Sequence, residues 1–261
     1  MRVSLIMTTY NCADHFRQSM ESALSQDYPD LELIVVDGGS SDGTPELIRE
    51  YAAQLEQKSR NADADHHILM RWISEPDQGI YDAMNKGIGM ATGDIIAVFN
   101  DLFTSPSAVR CMVEAFGQHP QCIGAHADLE YFDENTGKTV RQWKMGRGKM
   151  KDGWMPAHPT LYLRRQVYDQ YGLYDISYRS SADYEFMLRA LQGREDLLEY
   201  VPQTLIRMFH GGTSSAGIKG YVRNVREAYR ALKENGIRAP WLVIFRRICI
   251  TIIQFIRGRS D

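Results

Sequence analysis

The segment Leu33-Ile34-Val35-Val36-Asp37-Gly38-Gly39-Ser40-Ser41-Asp42-Gly43-Thr44 passes abruptly from an apolar, partly β-branched run into two carboxylates, three glycines and three hydroxyls. A short, uniformly apolar run suits a strand covered on both faces, and such strands belong to α/β sheets with helices on either side. Ligands of these sheets bind beyond the carboxyl ends of the strands, where glycine lets the backbone come close. Asp37 is therefore placed to touch a ligand. The same residues also suit a plain strand-to-helix turn, with Asp42 or Thr44 capping a helix that starts near Pro45.

The pattern repeats on both sides of this segment. Val3 to Met7 reads as a strand, Thr8 to Asn11 as a polar loop, and Phe16, Met20, Ala23 and Leu24 as one face of a helix. Leu47, Ile48, Tyr51 and Leu55 mark the helix after the second strand, and the polar stretch Lys58 to His67 reads as an exposed insert. Ile68 to Ile73 is a third strand, Ile80, Met84, Ile88 and Ala91 line a third helix, and Ile95 to Phe99 is a buried strand ending at Asn100-Asp101. Such alternation predicts a parallel sheet with right-handed crossovers.

From about residue 105 the pattern becomes α+β. One more helix precedes strands over Ile123 to Phe132 and Lys138 to Met145, joined by the hairpin signal Asp133 to Gly137. Pro156 to Leu163 reads as a strand, Asp183 to Leu191 as a helix, Leu198 to Phe209 as a strand, and Ile218, Tyr221, Val225, Tyr229 and Leu232 as a long helical face. The expected organisation is one compact unit over 1–216, with halves over 1–104 and 105–216 and a cleft between them, followed by a helical extension over 217–261.

Composition bounds the function. With 44% hydrophobic residues among 261, the chain can form a substantial core, and a net charge of −3 argues against a general grip on nucleic acid. Cys12, Cys111, Cys122 and Cys249 lie far apart without CxxC spacing, so neither a zinc knuckle nor a disulfide framework is expected. Met1 to Met7 lacks the apolar region and cleavage site of a signal peptide, which points to a cytoplasmic protein.

Four polar clusters fall at strand ends: Thr8 to Asn11, Asp37 to Thr44, Glu75 to Lys86 and Asn100-Asp101. In a parallel sheet all four emerge at one edge and line one pocket. Asn85 and Lys86 carry donors suited to phosphate oxygens, and Gly79 at a helix entrance exposes N–H groups to an anion. Against this, Asp77 also suits a helix cap and Lys86 a solvent-facing charge.

The ordered set Thr8-Thr9-Tyr10-Asn11, Val35 to Thr44, Asp77-Gln78-Gly79-Ile80-Tyr81-Asp82-Ala83-Met84-Asn85-Lys86-Gly87 and Ala91-Thr92-Gly93-Asp94 resembles glycosyltransferase family 2. Downstream, His158 to Arg165, Gly172 to Asp175 and Ala182 to Arg189 resemble the acceptor half of bacterial members that build envelope polysaccharide. The resemblance implies a GT-A fold: a Rossmann-like, mainly parallel sheet flanked by helices, with an α+β acceptor half and C-terminal helices. It also implies a nucleotide-sugar donor, with UDP the default, inversion at the anomeric carbon, and a hydroxyl acceptor on a glycan or lipid-linked glycan.

On this resemblance Asp183 matches the catalytic base, its competing role being a helix N-cap. Thr8 and Asn11 would lie beside the nucleotide, or simply close a loop. Asp37 would accept from the base, Asp77 would sit near the nucleoside or diphosphate, and Asn85, Lys86 and Asn100 complete the donor set. Glu185 is expected to form a surface pair with Arg189.

The chain departs from the family pattern after the fourth strand, where Asn100-Asp101-Leu102-Phe103 carries one carboxylate in place of two. Asp101 and the donor phosphates are the expected ligands of a loosely held Mg²⁺ or Mn²⁺, with His210 as an added ligand that would favour Mn²⁺. His210 also suits an ordinary strand end. The reduced motif motivates a rival reading, a nucleotide-sugar binding module with weakened chemistry. A nucleotide-dependent oxidoreductase is disfavoured because no G-x-G-x-x-G opens the first helix.

The stretch Trp241 to Arg257 is apolar but interrupted by Arg246 and Arg247, too short and too charged to span a bilayer. It suits a helix lying on the anionic inner face of the cytoplasmic membrane, or one packed on the protein body.

Overall fold

Strand and helix alternate through the first hundred residues as their apolar spacing requires. The computed structural model describes residues 1–60, 67–209 and 217–257. Within it β1 (Val3–Thr9), α1 (Ala13–Leu24), β2 (Asp30–Asp37), α2 (Thr44–Arg60), β3 (His67–Ser74), α3 (Ile80–Met90) and β4 (Ile95–Val98) follow in turn. β1 lies between β2 and β4, β3 adds outside β2, and all the pairings are parallel. Register sets Thr9 beside Asp37 and Asp37 beside Ser74, so the carboxyl ends form a level rim.

The second half adds β5 (Leu102–Phe103), α4 (Ala108–Gln118), β6 (Gly124–Phe132), β7 (Thr139–Trp143), β8 (Tyr162–Arg164), α5 (Arg165–Tyr171), α6 (Ala182–Leu191), β9 (Leu198–Phe209), α7 (Gly217–Glu234) and α8 (Pro240–Arg257). β8 is antiparallel to both β4 and β6, and two reversals restore the direction, so β6 runs with β4. β9 is parallel to β6. The ends of β6 and β9 therefore reach the same rim as those of β1 to β4.

Apolar side chains cover both faces of this sheet. One core joins β1, β2 and β4 to α1, α2 and α4, with Leu5, Leu33, Met20 and Phe116 at most 1% exposed. The other joins Ile6, Ile34 and Ile96 to α3, α5 and α6, and Ala231 and Leu232 of α7 and Val243 of α8 pack into it.

Two expectations change. The strand expected over Pro156 to Leu163 is a 3₁₀ turn at His158–Thr160 followed by the short β8; Pro159 has no N–H to give a ladder, which confines pairing to the residues after it. The helix α5 was not foreseen, since its seven residues are too few to show a period. Of the insert expected over Lys58 to His67, Lys58 to Arg60 belong to α2 and His67 to β3, while 61–66 lie outside the described residues.

At the opposite edge from the rim, Glu32 is fully buried and accepts hydrogen bonds from Ser4 Oγ (2.5 Å), Thr92 N (2.8 Å) and Thr92 Oγ1 (3.0 Å). Gly93 N donates to Ser4 Oγ, and a Cβ at Gly93 would stand 2.8 Å from Arg2 O. The Ala91-Thr92-Gly93-Asp94 signature is thus a structural turn that seats β4 against β1, away from any ligand.

Candidate active site

The rim is built by polar side chains that fix one another. Asn100, just past β4, accepts from Thr8 N (2.8 Å) and donates to Thr8 Oγ1 (2.9 Å), closing the β1–β4 end. Asn11 takes the left-handed conformation (φ 47°), and its Oδ1 accepts from Ser41 N (2.8 Å) while its own N–H donates to Ser40 Oγ (2.8 Å). Asp42 accepts from Ala13 N (3.1 Å) and Thr44 N (3.0 Å), so one carboxylate serves the first turns of both α1 and α2.

Asp37 has no exposed surface in the free protein. Its oxygens accept from Ser40 Oγ (2.5 Å), Ser40 N (3.1 Å) and Ser74 Oγ (2.6 Å). Asp37 therefore reaches a ligand only if one of these serines exchanges partner. The open surface beside it belongs to other residues. A Cβ at Gly38 would overlap the Asp77 carboxylate and press on Tyr10, so glycine lets Asp77 and the 63% exposed Tyr10 ring meet at the mouth of the rim. Asp77 Oδ1 also accepts from Gly79 N (2.8 Å) and shapes the entry to α3, where Gly79 holds φ 120°.

Asn85 and Lys86 are engaged within the protein rather than presented to phosphate. Asn85 Nδ2 donates to Tyr174 O (2.8 Å) and its Oδ1 accepts from Tyr174 N (2.9 Å), a two-point clamp between α3 and the segment that follows α5. Lys86 Nζ donates to Pro76 O (3.0 Å) and pairs with Glu75 (2.8 Å), bracing the loop that carries Asp77. The helical period explains both: four residues beyond Tyr81 and Asp82, these side chains face the segments against which α3 packs.

Asp183 stands in the first turn of α6. It does not close back on its own helix; its Oδ1 accepts from the Tyr81 hydroxyl at 2.9 Å. That bond joins α6 to the first turn of α3, directly after the Asp77 loop, and ties Asp183 to the helix that follows that loop. Burial and the Asp183 charge push the Tyr81 hydroxyl far above its ordinary value, so it remains a donor. His158 Nε2 lies 2.7 Å from the Tyr174 hydroxyl, and burial lowers its pKa against the pull of Asp183, which favours the neutral ring. Tyr81, His158 and Tyr174 thus form an uncharged wall around one carboxylate.

Asp101 follows Asn100 just past the end of β4. It is 8% exposed, and burial pushes its carboxyl up to about 7 against a hydrogen bond from Phe209 N–H and the charge of His15. His15 pairs with Glu134 at 2.7 Å and packs on Phe209, 4.7 Å between centroids. The Tyr131 hydroxyl is raised by burial and, in smaller measure, by Asp101 and Asp183 together, so its phenol stands within the field of both carboxylates. Tyr131 carries no signal in the sequence beyond its place near the end of β6.

Asp101 is one carboxylate, and no group of three His, Cys, Asp or Glu side chains that could hold a metal occurs among the described residues. His210 lies outside them. A lone acid in a desolvated position fits only a cation that draws its remaining ligands from the donor diphosphate and water.

The expected surface pair of Glu185 and Arg189 is instead largely buried. Arg189 Nε and Nη2 each reach Glu185 at 2.9 Å, with the Glu185 side chain 8% exposed. Arg189 also donates to the carbonyls of Tyr171 and Leu173. The i,i+4 spacing was legible, but the backbone that folds over it after α5 was not.

The profile described as Glycosyl transferase family 2 matches residues 4–177. A PGL/p-HBAD biosynthesis glycosyltransferase of Mycobacterium tuberculosis (H37Ra) is 30% identical over 207 residues, which cover 76% of this chain and 73% of that one. A glycosyltransferase of Mycobacterium tuberculosis (H37Rv) described as uncharacterized is 31% identical over 198 residues, 72% of this chain and 68% of that one. Among solved structures, S. aureus TarS residues 1–349 in complex with UDP-GlcNAc superposes with a TM-score of 0.68 at 15% identity, covering 96% of this chain and 72% of that one. The mannosyltransferase PcManGT of Pyrobaculum calidifontis, in complex with GDP-Man and Mn²⁺, gives 0.63 at 14% identity over 100% of this chain and 76% of that one. The curled, helix-flanked sheet is the GT-A fold. With the family profile spanning most of the sheet and its rim, this chain belongs to glycosyltransferase family 2.

Proposed function

We propose that this glycosyltransferase moves a sugar from a nucleotide donor, UDP in the first instance, to a hydroxyl of a glycan or lipid-linked glycan with inversion of the anomeric carbon. The observation that carries the reading is the Tyr81–Asp183 hydrogen bond, because it ties the candidate base to the rim on which a donor would lie. Asp183 Oδ1 is held by a neutral phenol, and Oδ2 makes no hydrogen bond among the described residues. A carboxylate held at one oxygen and open at the other is suited to general base work.

In this reading Asp183 takes the acceptor hydroxyl proton as that oxygen bonds to the anomeric carbon. The bond from that carbon to the donor phosphate breaks, and its electron pair leaves with the nucleoside diphosphate. A single displacement of this kind inverts the centre. Tyr10 offers a face to the base and Asp77 an acceptor for its N–H or the ribose hydroxyls, with Asp37 joining once Ser40 or Ser74 turns away. Asp101 would hold a divalent cation, Mn²⁺ or Mg²⁺, and the cation would supply positive charge for the departing diphosphate.

The test is to incubate the protein with radiolabelled UDP-, GDP- and dTDP-sugars, with and without Mn²⁺. Release of nucleoside diphosphate from at least one donor is expected. Tight nucleotide binding without release under any condition would instead establish the weakened binding module that the single carboxylate of Asp101 suggests.

The same reading extends to a membrane-bound acceptor. No helix among the described residues is long and apolar enough to cross a membrane. α8 buries Val243 and Ile244 yet leaves Phe245 63% and Trp241, whose ring meets Tyr229 at 4.6 Å between centroids, 61% exposed, so it packs on the body along one side and presents apolar surface along the other. An apolar stripe with an interfacial Trp and neighbouring arginines suits the headgroup region of an anionic bilayer, in keeping with a peripheral position on the inner face of the cytoplasmic membrane. Deleting the helix would also open the core, so the informative variant is Trp241→Ser with Phe245→Ser. Vesicles containing phosphatidylglycerol are expected to co-sediment the native protein and to lose most of the variant, and equal sedimentation of the two would reject membrane contact.

A further inference from the structure

A cleft separates β7 and the loop behind it from α8, lined among others by Trp143, Lys144, Trp154, Met155, Arg247 and Ile250. We propose that this cleft takes the acceptor, and that the acceptor is a saccharide carrying a phosphate. The inference rests on the glycosyltransferase reading and adds to it the class of the second substrate.

Charge is the first argument. Two cations line the cleft and, among the described residues, no carboxylate does. Arg247 has its Cζ 3.9 Å over the Tyr184 ring and Nη2 3.0 Å from Met155 Sδ, with no carboxylate partner among the described residues. Lys144 is exposed and forms no ion pair among them. The guanidinium fork matches phosphate oxygens, and a partly desolvated cation without a counter-ion gains most from such an anion.

Shape is the second. Trp154 is fixed by its Nε1 bond to Met145 O (2.9 Å) and by an edge contact with His126, 5.4 Å between centroids. Trp143 is held by the Arg141 guanidinium at 4.9 Å. Indole faces with little freedom suit the flat apolar side of a pyranose ring while its hydroxyls face water. The far wall is equally fixed, since Arg246 pairs with Asp152 at 3.0 Å and Gly153, at φ 93°, lets that loop lie against Val243 O.

Position is the third. Arg247 rests on Tyr184, the residue after Asp183. On the other wall Trp143 adjoins Arg141, Arg141 lies 4.9 Å over Tyr131, and the Tyr131 phenol stands in the field of Asp183. One wall of the cleft thus rests on α6, the helix that carries the candidate base, and the other is joined through Arg141 to β6.

Intrinsic fluorescence provides the test, because two of the four tryptophans line the cleft. With the protein first saturated with UDP to block the donor side, titration with glucose 1-phosphate is expected to give a saturable change about tenfold or more tighter than with methyl glucoside, the gain of one charge-assisted contact. Arg247→Gln, and separately the exposed Lys144→Gln, are expected to remove most of that preference. A farnesyl-phosphoglucose probe distinguishes the source of the phosphate: tighter binding assigns a lipid-linked acceptor, equal binding a soluble one, and either upholds the cleft. Equal affinity for the phosphate and the neutral glucoside, or a preference untouched by both variants, would overturn it. Failure of UDP to bind at the outset would count against the donor reading, whereas UDP binding without glucose 1-phosphate binding would remove the cleft alone.

Discussion

Asp183→Asn is expected to lower turnover by about 10²- to 10⁴-fold while UDP affinity stays within about twofold, the range for loss of a positioned general base. The amide oxygen can still accept from Tyr81, which donates at 2.9 Å, so the wall around the site is kept. What is lost is the ability to take a proton. Nucleoside diphosphate release measures the rate, and calorimetric titration with UDP measures binding in the same preparation. Undiminished release would eliminate Asp183 as the base. Tyr81→Phe separates orientation from proton transfer: it leaves the carboxylate but frees Oδ1, and is expected to cost less than Asp183→Asn.

Arg189→Met is expected to destabilise the protein by about 3 kcal/mol or more, because it strands the Glu185 carboxylate, 8% exposed, without its bidentate partner. For a chain of this size that corresponds to a loss of about 10 °C in Tm, readable by calorimetry. The damage extends toward the site. Arg189 also ties down the carbonyls of Tyr171 and Leu173, flanking Gly172 at φ 78°, and the next residue is the Tyr174 that Asn85 clamps. Loosening this turn disturbs the wall formed by His158 and Tyr174. The double variant Glu185→Leu, Arg189→Met removes the stranded charge and is expected to recover most of the stability. Equal melting of native protein and single variant would show the pair to be inert.

The first half of the fold was legible because its strands are mostly apolar and its helices carry a 3.6-residue apolar stripe. The apolar run Leu33 to Val36 lies within β2 (Asp30–Asp37), and the expected Ile80, Met84 and Ile88 face lies on α3, with Ala91 as its C-cap. Both features are local. The second half was harder to read where elements are short: β8 has three residues and α5 seven, fewer than a period needs to declare itself.

The polar clusters were legible as a rim because glycines and carboxylates end apolar runs, but the partners within it were not. Asn85 has the chemistry of a phosphate donor and spends it on Tyr174; Lys86 spends its charge on Glu75 and Pro76. Residue type announces what a side chain can bond to. It does not announce which partner packing will bring within 3 Å.

Sequence by itself determined the sheet, its direction and the edge where polar residues gather, since strand burial, helix period and turn chemistry act over a few neighbouring residues. Only the tertiary structure decided that Tyr81 meets Asp183, that Asn85 clamps Tyr174, and that α8 closes a cationic cleft over β7. Such contacts join residues far apart in the chain, Tyr81 and Asp183 by 102 positions. They follow from how helices settle on the two faces of the sheet, a matter of shape and volume that no local pattern carries.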